Sequence, residues 1–388
     1  VTQLLAPEPS SAARGTRAES LSDWYFRLRN RVLSDARFQR WAAWFPLTRL
    51  IARHRASALF DLCAGFVYSQ VLHASVRLGL FEALAEGPQT VAELAPRLSL
   101  HPHAAQRLLD AAVSLKLAER RAHRRYGLGV HGASLIGNPA VARMVEHHAL
   151  LYRDLADPVA LLRDERRETE LGRFWSYAGH RPPQAHDEAE VAPYSALMAG
   201  SLSLIAEDIL EAYPLDRHRR LLDVGGGEGA FLEAAGARMP QLALVLFDLP
   251  PVAARARARL ARSGLSARAS VVGGDLFRDP LPEGADLISL VRVIHDHDDA
   301  PALDILRAVR KALRPGGVLL VAEPMSGTAG AEPMGDAYFG FYLLAMGQGR
   351  PRTPEQLAAL LLEAGFARVR TGTTRRPMLT RLMIAEVA

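Results

Sequence analysis

The chain has one cysteine, Cys63, in 388 residues. A single thiol cannot build an internal disulfide framework, so a reducing, cytoplasmic setting is expected. Lysine is nearly as scarce, with only Lys116 and Lys311 present. Arginine therefore carries the positive charge, and the formal net charge is only +5. In a sequence this rich in Ala, Leu, Arg and Gly, biased codon usage accounts for the arginine excess. A nucleic-acid surface would need the arginines gathered on one face, and no nucleic-acid partner is expected. No uninterrupted apolar run of about 18 residues occurs, so no membrane-spanning helix is expected. No secretory leader is visible. Apolar residues make up 49% of the chain, ample for the cores of two domains at this length.

The stretch around which the rest is organised is Leu221–Gly229, LLDVGGGEG. An apolar run ends in Asp223, three glycines follow, and a helix-like segment continues to Met239. This pattern predicts strand, tight turn and helix, with glycines that let a ligand lie close to the backbone at a helix N-terminus. Gly225, Gly227 and Ala230 fit the loose dinucleotide pattern G-x-G-x-x-G/A, which alone is weak evidence. Asp223, two residues before the first glycine, would crowd a pyrophosphate but suits a cationic ammonium group. The string DVGGGEG resembles motif I of the class I methyltransferases, whose donor carries an ammonium group and no phosphate.

In chain order, residues 1–20 are rich in Ala, Pro, Ser and Arg and are expected to be disordered. Residues 21–55 interleave Trp24, Tyr25, Phe26, Trp41 and Trp44 with arginines from Arg27 to Arg55. One reading is a helical arm packed on the chain or on a second subunit. The other is a peripheral helix on a membrane interface. Residues 57–155 read as helical, with a capping box at Thr90 and Glu93, a second amphipathic helix from His101, and a short β wing at RRYGLGV. Helix, helix and wing make a winged helix, read as a dimerisation module in preference to a DNA reader. Residues 156–190 are polar and serve as a connector. The expected domains are an arm at 1–55, the winged-helix module and connector at 56–190, and a catalytic domain at 191–388.

From Arg219 onward strands and helices alternate, which predicts an α/β, Rossmann-like sheet. Seven strands are expected, at 219–224, 242–247, 268–273, 285–291, 317–323, 366–373 and 379–386, the last two as an antiparallel hairpin. Ligands of such sheets bind beyond the carboxyl ends of the strands. Asp248, followed by Leu249, closes the second strand, where an acid takes both hydroxyls of a ribose. Asp275 and Leu276 follow the third strand and would flank an adenine. The fourth strand ends in LVRVIHDHDD. His295 there is the candidate base, since an imidazole titrates near neutrality. Asp296 orients it or bonds to backbone, and Asp298 and Asp299 are expected to cap a helix. A metal site on this cluster is the weaker reading, and no metal is expected. Glu323 ends the fifth strand and is expected to hold the His295 imidazole in its tautomer. Phe339, Leu343 and Met346 would wall an apolar acceptor pocket, with Tyr194 and Met198 on a helical run before the sheet.

These motifs, with GGDLF, VAEP and GRPRT, resemble the plant-type small-molecule O-methyltransferase family, over roughly residues 190–388 and, for the helical module, 57–155. The resemblance implies S-adenosylmethionine as donor and S-adenosylhomocysteine as product. It implies Asp248 on the ribose, Asp275 and Leu276 on the adenine, and His295 as general base. It also implies a domain-exchanged homodimer and no metal. Three positions depart from the family pattern. His297 stands where HDW has tryptophan. Val291, with Arg292 beside it, stands where a lysine contacts the cofactor. Pro351 stands in place of a second glutamate. Within the family the chain is most similar to the bacterial hydroxyneurosporene and demethylspheroidene O-methyltransferases. That similarity implies a hydroxylated carotenoid as acceptor. The alternatives are a polyketide or aromatic O-methyltransferase, a bacteriochlorophyll C-methyltransferase, and a winged-helix regulator that senses a ligand.

Overall fold

The computed structural model describes residues 21–164, 168–175, 200, 202 and 205–388. Residues 1–20, and with them the expected disorder, lie outside these. So do most of the connector, Tyr194 and Met198. Two compact units are distinguished, residues 1–72 and 73–388.

The first unit holds helices Leu21–Ser34, Ala36–Trp44 and most of Arg49–Arg77. The second helix starts where the Asp35 carboxylate accepts from the Phe38 backbone N–H at 2.7 Å. It stops at Phe45, whose extended backbone precedes Pro46. Trp41 and Phe45 stack with ring centroids 5.1 Å apart, yet Trp24, Tyr25 and Trp44 stay exposed. The third helix, of 29 residues, contains an 18-residue window with a mean hydropathy of 1.2, long and apolar enough to cross a membrane by length and composition only. Asp61 and scattered Ser, Gln and His interrupt the apolar run, so a search for an unbroken one passes over it.

The second unit opens with the end of that helix, where Gly79 adopts φ 68° and turns the chain. Thr90 and Glu93 form the expected capping box on helix Val91–Arg97, and His101 caps helix Pro102–Ser114. Strands β1 (Gln89–Thr90), β2 (Ala118–Arg121) and β3 (Arg125–Leu128) form an antiparallel wing in the order β1-β3-β2.

The large sheet has seven strands: β4 (Arg220–Val224), β5 (Ala243–Asp248), β6 (Ala269–Gly273), β7 (Ala285–Val291), β8 (Leu313–Glu323), β9 (Arg368–Gly372) and β10 (Arg381–Glu386). Their order is β6-β5-β4-β7-β8-β10-β9, with β4 to β8 parallel and β10 antiparallel to both neighbours. β8 begins at Leu313, which pairs with Ala285 ahead of a bulge, earlier than the apolar run alone suggests. Side chains alternate between two cores. On β4, Leu221 joins one core while Leu222 and Val224 join the other. Because β4 to β8 are parallel, the turns after Val224, Asp248, Gly273 and Val291, and Glu323 itself, lie along one edge of the sheet.

Candidate active site

The turn after β4 is a cradle. Gly225 and Gly227 adopt φ 67° and 58°, a region that side-chain-bearing residues rarely enter. A Cβ on Gly225 would lie 2.8 Å from Val293, and one on Gly226 would lie 2.5 Å from the Asp223 carboxylate. Beside Gly227 the space is open to 4 Å. Asp223 is more enclosed than the sequence reading has it. Alternation along β4 turns it inward, 1% exposed, beneath Gly226 and not into the mouth of the strand. One of its oxygens accepts from the Ser289 hydroxyl at 2.5 Å; the other has no partner among the described residues. Burial, opposed by that bond, pushes its pKa up to about 7.

Asp248 ties the cradle to β5. Its two oxygens accept from the backbone N–H groups of Gly227 and Leu249, each at 2.7 Å. Burial lifts its pKa to about 6 against those two bonds. Each carboxylate oxygen keeps a second lone pair, so the group can still accept from ribose hydroxyls. The β6 turn comes alongside through Gly274 N–H, which donates to the Asp248 carbonyl at 2.9 Å. In that turn Asp275 accepts from the Phe277 backbone at 2.9 Å, and Leu276 packs on the core below. The structure thus brings Asp223, Gly225, Gly227, Asp248, Leu249, Asp275 and Leu276 to one edge of the sheet. The open side of Gly227 and the unpartnered Asp223 oxygen fit a cationic nucleoside donor.

At the end of β7, Arg292 takes a left-handed φ of 57° and leads into a 3-10 turn, Ile294–Asp296. This turn presents His295, which is 6% exposed. Glu323 Oε1 accepts from the backbone N–H of Ile294 at 2.6 Å and of His295 at 3.0 Å. It lies 3.6 Å from the imidazole Nδ1, beyond hydrogen-bond range, so its first task is to fix the backbone of the turn. Asp296 Oδ1 lies 3.2 Å from Nε2. Burial works to lower the His295 pKa, but Asp296 and Glu323 together outweigh it and the pKa is raised.

The same turn is gripped from outside by Arg352, a buried residue absent from the sequence reading. Its guanidinium donates to the carbonyls of Ile294 (3.0 Å) and His297 (2.7 Å) and to Asp299 (2.8 Å). Arg350 N–H donates to the His295 carbonyl at 2.9 Å. Asp298 and Asp299 consequently do not cap helix Asp299–Ala312 as expected. Asp298 makes no side-chain cap bond and accepts from Gly349 N–H at 3.1 Å, while Asp299 pairs with Arg350 and Arg352. Both arginines belong to the GRPRT segment, which the sequence offered only as a family motif. His297 turns away from His295, its ring edge-on to Phe277 at 5.3 Å. Among the described residues no group of three or more potential metal ligands converges.

A cavity of about 600 Å³ adjoins His295, Asp296 and Arg292. Its walls include Val141, Met144, Trp175, Met334, Tyr338 and Phe339. Phe339 lines it as expected, but Leu343 and Met346 do not. They share the face of Phe339 on helix Phe339–Met346, but there the helices carrying Leu151, Leu161 and Leu171 cover them as core. Tyr338 and Tyr342 on the cavity wall bond to His148 and His147 of helix Pro139–Asp154, and none of these four was singled out by a motif.

Residues 152–367 match the model of the O-methyltransferase domain, and residues 60–136 that of the O-methyltransferase dimerisation domain. Demethylspheroidene O-methyltransferase of Cereibacter sphaeroides is 46% identical over 359 residues, 92% of this chain and 94% of that protein. Acetylserotonin O-methyltransferase of Mus musculus is 35% identical, covering 82% of this chain and 86% of that one. Among solved structures, human N-acetylserotonin methyltransferase in complex with SAM aligns with a TM-score of 0.71 at 26% identity, over 86% of this chain and 98% of that one. The mitomycin 7-O-methyltransferase aligns with a TM-score of 0.72 at 26% identity, over 87% and 100%. The chain belongs to the S-adenosylmethionine-dependent O-methyltransferases that carry their own dimerisation domain.

Proposed function

We propose that the chain methylates the tertiary hydroxyl of a hydroxylated carotenoid of the demethylspheroidene class, with His295 as general base. The observation that carries this reading is the apolar cavity beside His295, in a chain 46% identical to a demethylspheroidene O-methyltransferase. Such a cavity accepts the hydroxylated end of a long hydrocarbon and excludes water from it.

When bound, S-adenosylmethionine supplies an electrophilic methyl group on a sulfonium. Asp248, Asp275 and Leu276 hold and orient the nucleoside, and the enclosed Asp223 carboxylate favours its positive charge. Arg292, at the end of β7 and on the cavity wall, would pair with the donor's carboxylate. The cavity walls place the acceptor oxygen. An aliphatic alcohol is too weak an acid to ionise beforehand, so its proton leaves as the new bond forms. His295 takes that proton on its ring, and the charges of Asp296, 3.2 Å from Nε2, and Glu323, 3.6 Å from Nδ1, favour the imidazolium. Such a base contributes about 10²–10⁴-fold. Incubation with methyl-labelled donor and a pigment extract tests the acceptor class. The label is expected in a carotenoid methyl ether; label only in phenols would overturn it.

The chain is proposed to work as a homodimer whose helical module helps close the partner's pocket, on the cytoplasmic side of a membrane. Residues 21–55 carry eight arginines and two aspartates, with no glutamate, and expose Trp24, Trp41 and Trp44. Aromatic bodies with arginine stems suit an anionic lipid interface, where an apolar acceptor is dissolved. Replacing Arg27, Arg29 and Arg31 by Glu should abolish flotation with anionic vesicles while turnover in detergent persists. Dissociation of the dimer instead would place the arm against a second subunit.

A further inference from the structure

The acceptor cavity has polar groups in two places. One is the set His295, Asp296 and Arg292. The other is Tyr338, whose hydroxyl lies 2.7 Å from His148 Nε2. His148 comes from helix Pro139–Asp154, and Tyr338 ends the π-helical turn Pro333–Tyr338. Turns of this kind are rare and concentrate at functional sites.

The neighbouring pair shows what a structural role looks like. Tyr342 also meets a histidine, His147, at 2.7 Å, but both residues are buried and Trp175 Nε1 adds a second bond to the Tyr342 hydroxyl at 3.0 Å. Tyr338 and His148 are only half-buried; they line the cavity, as Tyr342 also does, but the Tyr338 hydroxyl has His148 alone where the Tyr342 hydroxyl has His147 and Trp175. A phenolic hydroxyl offers one proton and two lone pairs, and His148 uses one of these. Among the described residues nothing takes the others.

Both groups are neutral. Burial, with the charge of His73 second, pulls His148 down to about 4, and burial pushes the Tyr338 hydroxyl above its ordinary value. A neutral hydrogen-bonding group in an apolar wall suits a neutral oxygen. The Phe339 ring touches both polar places, its centroid 5.0 Å from Tyr338 and 6.0 Å from His295. Both places line the one cavity, with Arg292 also on its wall.

We infer that Tyr338, backed by His148, hydrogen-bonds the acceptor oxygen and makes the cavity select an oxygenated polyene over the corresponding hydrocarbon. This rests on the reading of the cavity as the acceptor site. A site built to hydrogen-bond a hydroxyl rejects the analogue lacking it, because its own polar group is then left unpaired.

The test uses the full chain saturated with S-adenosylhomocysteine, titrated with a hydroxylated polyene and with its hydrocarbon analogue, by quenching of tryptophan fluorescence. The wild type should prefer the alcohol by roughly tenfold, the worth of one hydrogen bond. Tyr338→Phe should remove most of the preference, chiefly by raising hydrocarbon affinity, since no Tyr338 hydroxyl is then left unpaired. His148→Leu should weaken the preference, and His148→Gln, which can still bond the hydroxyl, should restore it. An undiminished preference in Tyr338→Phe, or an equal loss for both ligands, would overturn the inference. If the wild type methylates no hydroxylated polyene, the acceptor class fails on its own. The same variants are then compared on a phenol and its deoxy analogue, with the same two outcomes deciding for or against the pair.

Discussion

Glu323 holds His295 by the backbone more closely than by the ring, at 3.0 Å from the amide nitrogen and 3.6 Å from Nδ1. One carboxylate oxygen takes two buried N–H groups, those of Ile294 and His295. Glu323→Gln keeps a carbonyl oxygen there and loses only the charge. Glu323→Ala strands both amides, at about 1–3 kcal/mol each. Thermal unfolding should separate the two, with the Gln variant near wild type in stability but slower in turnover, and the Ala variant clearly destabilised.

Arg352 should behave as a positioning residue. It is 2% exposed and closes the opposite side of the same turn through the carbonyls of Ile294 and His297. Arg352→Met leaves those carbonyls without their partner and should cost at least about 1–3 kcal/mol. Turnover should fall while calorimetric affinity for S-adenosylhomocysteine holds. Arg352→Lys, which can satisfy one carbonyl, should recover part of the rate. Wild-type turnover in Arg352→Met would show that the turn keeps its shape unaided.

If His295 is the base, as proposed, the acid side of the rate profile reports its titration. His295 must be neutral to accept a proton, and its pKa is raised because Asp296 and Glu323 outweigh the effect of burial. Activity should therefore fall, as pH drops, at a pH above the ordinary histidine value of about 6.5. Asp296→Asn removes the largest raising influence and leaves burial less opposed. The acid limb of kcat should then move to lower pH. A limb that stays put, or moves up, would contradict the pairing.

Donor affinity should depend on Asp248. Loss of two charge-assisted bonds, each about 1.5–3 kcal/mol, predicts at least a tenfold weakening in Asp248→Ala. Burial has lifted this carboxyl to about 6, so the ionised acceptor form is lost as pH falls through that value. Calorimetry with S-adenosylhomocysteine should show affinity declining below about pH 6 in the wild type. A flat profile would place the nucleoside contacts elsewhere.

The sheet was legible because its strands are short apolar runs punctuated by Gly and acids. The signals at Asp223, Asp248, Asp275, His295 and Glu323 are local, each a residue type at the end of a run. What stayed hidden depends on long-range packing. The cap expected of Asp298 and Asp299 lost to partners more than fifty positions away, the Gly349 amide for Asp298 and Arg350 and Arg352 for Asp299. Leu343 and Met346 share the helical face of Phe339, which made all three candidates for the pocket wall. Periodicity could not say that other helices cover that face beyond its first turn. The His148–Tyr338 contact joins residues 190 positions apart, and neither carries a motif.

The central claim is that His295 removes the acceptor proton. The most direct test is single-turnover methyl transfer to the hydroxylated carotenoid by His295→Gln, with donor affinity measured alongside. The account predicts a rate lower by at least about 10²-fold at unchanged affinity for S-adenosylhomocysteine. A rate close to wild type would mean that placement of the two reactants alone carries the reaction, or that another group is the base.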